Sequence, residues 1–373
     1  MTFNRREHNG HSKNALLALG AAAAVVASGQ AFALSAKVSG QIDRALMYGN
    51  NGDQSKVFNV DNSNSSTRFR FTAEGDVTDT VKAGTVFETE YQSNPSNAVS
   101  FDNLTAGSSP TLHERKMEAY FKGLFGKVSI GQGDGAANGN AEVDLSGTSV
   151  VSYVHADSVG GGLTFQNNGT DSGISIGDVY NNNDFESRYD RLRYDTPAFG
   201  PAVLSASYGD KDNSPVTELA ARIGSDVPGG KYMIGLGYSN KDTGSNNPSP
   251  ASPQADKGNV VTTGGSASYL SNTGLNGTVT YTTKSDDTSS PDAKFWDVKI
   301  GYKFGKNAVA IDYGRSKDRF GDGYKADMYR IGYVYKPVGW AELFAAAKVH
   351  KLDGPNQSYD DIKVVTTGTR IKF

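Results

Sequence analysis

The sequence predicts an all-β fold, a sixteen-stranded antiparallel transmembrane β-barrel. Three observations carry this. Side chains alternate apolar and polar with a period of two along most of the chain, which gives a strand one oily face and one wet face. The connections alternate between short turns and long polar loops, as in a barrel that crosses a membrane. The composition holds 44 Gly, 19 Tyr and 17 Phe, with 12 Pro and no Cys among 373 residues. That suits short strands joined by polar loops and excludes a disulfide scaffold.

The elements follow in order. Arg5, Arg6 and Lys13 precede an apolar run over 15–27, and Ala31-Phe32-Ala33 offers an A-x-A cleavage site. These are the three parts of a secretory signal peptide, residues 1–33, cleaved after Ala33. The run is shorter than the ~20 residues of a membrane-spanning helix. Glu7 and His8 stand where a twin-arginine signal prefers apolar residues. The remainder, 34–373, is expected to be one barrel. About sixteen alternating segments are expected near 36–48, 66–75, 80–91, 115–124, 126–132, 187–195, 201–209, 216–224, 230–239, 259–270, 274–284, 294–304, 306–316, 325–336, 340–350 and 363–373. In the second, Phe69, Phe71 and Ala73 alternate with Arg68, Arg70, Thr72 and Glu74. In the twelfth, Trp296, Val298, Ile300 and Tyr302 alternate with Asp297, Lys299 and Lys303. Arg44 interrupts the apolar face of the first, where a bulge would fit. The Glu218–Gly224 run also suits a helical turn. Short turns are expected at 75–79, 125–126, 197–200 and 304–306, and long loops at 49–65, 92–112, 240–258, 284–293 and 351–362. Soluble sandwiches, propellers and β-helices alternate as well. They do not place Phe or Tyr at so many strand ends, and no fixed-length repeat is present. The end aromatics (Tyr48, Tyr91, Tyr194, Tyr208, Tyr238, Tyr302, Tyr335, Phe373) would form two interfacial girdles.

Four stretches bear a family resemblance: SSTRFRFTAEGDVTDTVKAGTVFETEY (65–91), ERKMEAYFKGLFGKVSIGQGDGA (114–136), RYDRLRYDTPAFGP (188–201) and the terminal GTRIKF (368–373). In this order they resemble the trimeric general porins of proteobacteria, over essentially the whole mature chain. In the third stretch, Asp190-Arg191 replaces the family's Asn-Ser. The resemblance implies a homotrimer in the Gram-negative outer membrane, among outer-membrane lipids and lipopolysaccharide. It implies passive diffusion of small hydrophilic solutes and ions, and a third external loop folded inward. That loop is expected over 133–186. Terminal Phe373 is the expected insertion signal for the barrel-assembly machinery.

Opposed rows of charge across a narrow aqueous gap create a transverse field that orders polar solutes and biases ion passage. The acidic candidates for such a constriction are Glu142, Asp144 and Asp134. The basic candidates are Arg68, Arg70, Lys82, Arg191 and Arg193, with Lys37 and Lys122 behind them. A lumen-facing Arg paired with a nearby Glu and solvated is the bland alternative for each.

Other chemistry is poorly supported. Gly131–Ala136 matches G-x-G-x-x-A but no amphipathic helix follows, as a dinucleotide site requires. The mature chain has only His113, His155 and His350, without metal-ligand spacing. No metal, cofactor or nucleic-acid partner is expected; 37 Lys and Arg against 40 Asp and Glu leave no basic footprint. A barrel enzyme such as a lipase or protease needs a nucleophile–base pair that is not recognisable here. The remaining alternatives are a substrate-selective channel with a lumen site and a structural or adhesive barrel.

Overall fold

The computed structural model describes residues 34–105, 111–244, 258–287 and 289–373. The expected signal peptide and its Ala33 lie outside the described residues. The strands are β1 Ser35–Asn50, β2 Ser55–Asp61, β3 Arg68–Thr78, β4 Val81–Gln92, β5 Thr111–Gly123, β6 Gly126–Asp134, β7 Thr164–Asn167, β8 Thr170–Ser175, β9 Arg188–Asp195, β10 Ala202–Lys211, β11 Ser214–Val227, β12 Gly230–Asp242, β13 Asn259–Ser271, β14 Leu275–Asp286, β15 Ser289–Phe304, β16 Asn307–Lys317, β17 Lys325–Val338, β18 Ala341–Gly354, β19 Gln357–Ser358 and β20 Ile362–Lys372.

Sixteen of them, β1, β3–β6, β9–β18 and β20, form a closed antiparallel barrel. Each expected segment falls on one of these, including 216–224, which β11 holds in register against both neighbours. The wall closes where β1 pairs with β20 from Gln41↔Lys372 to Asn50↔Lys363. Alternation sorts the side chains. Phe69, Phe71, Val298, Ile300, Ile331 and Val365 face outward and are exposed. Tyr48, Tyr91, Tyr194, Tyr208, Tyr238, Tyr302 and Phe373 are exposed at strand ends, and Tyr335 is half-buried there. Such aromatics sit at the headgroup level of a bilayer.

Three expectations need correction. No bulge forms at Arg44, whose register with β20 is continuous. Instead the neighbouring strand is split. β1 pairs with β3 over Ser35–Gln41 and with β2 over Arg44–Asn50. Between β2 and β3 the chain dips inward, and Asn62 donates to the Val150 carbonyl at 2.8 Å. The segment 284–293 is no long loop, because β14 runs to Asp286 and β15 starts at Ser289. The inner face is not polar throughout. Met47, Phe58, Phe295, Met328, Leu352, Ile362 and Val364 point inward and are buried.

The reason is the segment between β6 and β9. It runs inside the barrel and carries its own hairpin, β7–β8, and one helical turn, Ile176–Val179, closed by a capping box from Ser175 and Asp178. Val150, Val151, Val154, Leu163, Phe165, Ile174, Ile176 and Tyr180 join the inward apolar residues of β1, β2, β15, β17, β18 and β20 in one core. Burying apolar side chains is the main favourable term in folding, and here that burial lies inside the barrel.

Candidate functional site

The root of the internal segment is built by glycines and arginines. Gly131 has φ +113°, and a Cβ there would lie 2.3 Å from the Met117 carbonyl. A Cβ on Gly135 would fall 1.9 Å from a Glu218 oxygen. The glycines of the G-x-G-x-x-A stretch therefore let backbone pass close to the wall, and no phosphate cradle is needed to explain them. Arg191 donates to the Gly131 carbonyl at 2.8 Å and the Asp134 carbonyl at 3.0 Å, and pairs with Glu118. Arg193 donates to the Gly135 carbonyl at 2.7 Å and pairs with Asp195 at 2.7 Å.

Beyond the root the segment is fastened across the wall. Glu218 accepts from the backbone of Ala137 and Glu186 at 3.1 and 3.0 Å, holding both ends. Ser266 and Ser268 accept from Val143 and Leu145. Lys299 reaches Asp144 at 3.0 Å and the Ser152 carbonyl. Lys348 donates to the carbonyls of Ala156 and Val159. Arg330 and Asp312, both buried, pair beneath them, and Ser152 lies 3.4 Å from Asp312. These buried charges hold the segment and do not meet the open lumen.

What remains open is a polar cavity of about 700 Å³. On its barrel side stand Arg68, Arg70, Arg115, Lys116 and Arg188 with Glu88, Glu90 and Asp134. Glu88, whose side chain is 0% exposed, accepts from Arg70 at 2.5 Å and Arg115 at 2.6 Å, with Arg68 at 3.8 Å. Lys116 pairs with Asp134, and Arg188 stands 3.9 Å from it. On the other side the internal segment offers Glu142, Tyr153, His155 and Asp184. Glu142 accepts from Tyr153 and from Asn182 at 2.7 Å. His155 lies 2.9 Å from Asp157 and 4.0 Å from Glu142. Burial works against a charge on His155, but Asp157 and then Glu142 outweigh it and raise its pKa to about 9. Burial, then the neighbouring Glu142, pushes the Asp184 carboxyl well above the usual range despite hydrogen bonds from Gly139 and Ala141.

Of the residues expected at a constriction, Arg68, Arg70, Asp134 and Glu142 line this cavity. The others do not. Asp144 is buried against Lys299 on the wall side of the segment. Lys82 sits beside the β3–β4 turn, 2.7 Å from Asp76. Arg191 and Arg193 are spent on the root. Lys122, one of the reserves, pairs with Glu74 at 2.5 Å. Sequence reasoning missed Arg115, Lys116, Arg188, His155 and Asp184. Strict alternation puts only one of two adjacent residues inside. The register shifts between Glu88 and Thr89, opposite Lys116 and Glu114, and leaves Arg115 as the extra residue. A bulge of this kind turns both Arg115 and Lys116 to one face.

A family model described as Gram-negative porin matches residues 15–354. No curated protein matches the chain at a significant level. Among solved structures, the chain resembles the anion-selective porin from Comamonas acidovorans, with 17% identity and a TM-score of 0.62 over 91% of this chain and 100% of that one. It also resembles Salmonella typhi OmpF in complex with daunomycin, at 14% identity, TM-score 0.60, over 91% and 97%. A third is the trimer form of in-vitro folded OmpT of Vibrio cholerae, at 14% identity, TM-score 0.57, over 91% and 100%. At these identities the likeness concerns the fold.

Proposed function

The chain belongs to the Gram-negative porin family, an outer-membrane channel for passive diffusion, and on that premise we propose that its pore favours small hydrophilic anions. The observation that carries this is the charge of the cavity. It is lined by seven Lys and Arg side chains against five Asp and Glu, although the whole chain is net negative. At neutral pH a protonated His155 tilts it further. Fixed charge in a narrow, low-dielectric passage concentrates counter-ions. The constriction of this proposal sets Arg68, Arg70, Arg115, Lys116 and Arg188 against Glu142.

Planar-bilayer recording under a KCl gradient tests it. The reversal potential should have the sign of chloride preference and shrink in Arg188→Ala, whose nearest carboxylate is 3.9 Å away. It should also fall as pH rises through about 9, where His155 loses its proton. A cation-preferring wild type would refute the proposal.

We infer the same of assembly and export. The working unit is a homotrimer, inserted by the barrel-assembly machinery through Phe373, after a signal peptide is removed at Ala33. In support, Phe373 is exposed, and its backbone bonds to Gly40 at the barrel seam. The Vibrio cholerae OmpT above is described in a trimer form. Arg44 stands on the outer face between exposed Ile42 and Leu46, paired with Asp61 at 2.8 Å. A basic residue facing lipid costs up to about 2–4 kcal/mol at the bilayer midplane, a cost that a neighbouring copy removes. Native mass spectrometry of protein extracted from outer membranes should give three chains, each starting at Leu34. Leu46→Arg should give single chains. A monomeric wild type would sink the assembly claim.

A further inference from the structure

Many polar side chains around the lumen cavity are engaged with one another, as in the Arg70–Glu88 and Lys116–Asp134 pairs. Four others keep unused hydrogen-bonding groups, and they come from four separate elements. Arg188 opens β9. Its guanidinium makes no hydrogen bond among the described residues, and its carboxylate neighbour Asp134, already held by Lys116, stands 3.9 Å away. Arg319 reaches in from the connection between β16 and β17 and has no ion pair among the described residues. Its Nε is shielded from solvent and has no hydrogen-bond partner. Asp157 and Asp178 act on it only from beyond ion-pair distance.

The other two groups are acceptors. Asn64 lies on the inward turn between β2 and β3, and Asn183 on the internal segment; the Oδ1 of each is buried without a donor. Asn183 is 5% exposed, and its Nδ2 reaches the Thr282 hydroxyl only at 3.5 Å. A buried donor or acceptor without a partner is costly, more so when charged. Water fills such places in a resting channel, and a solute displaces it well only when its own groups reproduce those bonds.

This set selects by chemistry. Guanidiniums with unused donor forks call for an oxyanion, carboxylate or phosphate. Amide oxygens call for donors, and hydroxyls supply them. Ammonium groups are repelled by the cationic excess around the cavity. The volume, about 700 Å³, is that of a small-molecule site.

We propose that the cavity binds acidic sugars, polyhydroxylated solutes carrying a carboxylate or phosphate, with the oxyanion on Arg188 or Arg319 and hydroxyls on Asn64 and Asn183. Two arginines on separate elements let the oxyanion pass from one to the other, and binding at several sites holds a solute without trapping it. An uncharged sugar leaves the guanidiniums unanswered, and an aliphatic acid leaves the amides so. The inference rests on the anion-pore reading and narrows it to a solute class.

The test is block of chloride current through the mature full-length protein in a planar bilayer. The probes are gluconate, glucose 6-phosphate, glucose and hexanoate, the last matching gluconate in carbon count and charge but lacking hydroxyls. At least one acidic sugar should block at a concentration about ten-fold or more below that needed for glucose or hexanoate, and the stronger of the two identifies the oxyanion. Arg319→Gln should raise that blocking concentration about ten-fold. Asn183→Gly, a substitution suited to the φ of +51° at this position, should remove most of the advantage over hexanoate. Equal block by all four probes, no block by either acidic sugar, or variants indistinguishable from wild type overturns the site. The reversal potential in KCl keeps the two readings apart. Chloride preference without acidic-sugar block removes only this site, and cation preference removes its premise as well.

Discussion

Replacing residues 147–178 by a short polar linker should raise single-channel conductance several-fold. Those residues carry most of the internal segment's share of the apolar core, and with it they occupy the side of the barrel enclosed by β15–β20 and β1. Ion flow through a water-filled barrel follows its open cross-section. The cavity left beside the segment measures about 700 Å³, so removing the insert opens a second passage beside it. The same deletion exposes Met47, Phe58, Met328 and Leu352 to water, and each fully exposed large side chain costs roughly 1.5–3 kcal/mol. Thermal unfolding of the variant, followed by its gel mobility on heating, should therefore occur at lower temperature. An unchanged conductance from folded variant protein would show that the insert does not limit flow.

The second large effect is expected at Arg330. Its guanidinium and the Asp312 carboxylate are both buried and bonded to each other, and Ser152 of the internal segment lies against the same carboxylate. Arg330→Ala leaves a buried carboxylate without its partner, which costs about 3–5 kcal/mol. Arg330→Met combined with Asp312→Leu removes both charges and should recover most of that loss, because an apolar pair of similar volume often replaces a buried ion pair without penalty. Denaturant midpoints of the three proteins, measured in the same detergent, decide it. If the double variant were as unstable as the single one, the pair would be supplying something other than mutual neutralisation.

The barrel was legible because its physics repeats. Every strand must present an apolar face to lipid, so a period of two recurs across the chain, and the loop lengths alternate with it. The position of the internal segment was legible as the longest interval without a strand. The lumen was less so, for local reasons. Arg115 and Lys116 both reach the cavity through a single register shift that no pattern of hydrophobicity encodes. Asp144 and Asp134 look alike in sequence, but one meets Lys299 behind the segment and the other meets Lys116 in front of it. Arg191 and Arg193 alternate inward as expected, and are then consumed by carbonyls at the segment's root. Phe295 beside Trp296 reads as a break in the alternation. It is one ring for the lipid side and one for the internal core.

The internal core also bears on how the cylinder shuts. The seam joins β1 to β20, the first and last strands of the barrel, and is the most distant pairing in sequence. Bringing such ends together early is entropically slow. Met47 and Ala45 on one side of the seam, and Ile362 and Val364 on the other, pack against the same interior cluster as Leu163, Phe165 and Ile176. The insert thus works as a mandrel: it holds one oily surface inside the barrel on which both edges of the seam rest.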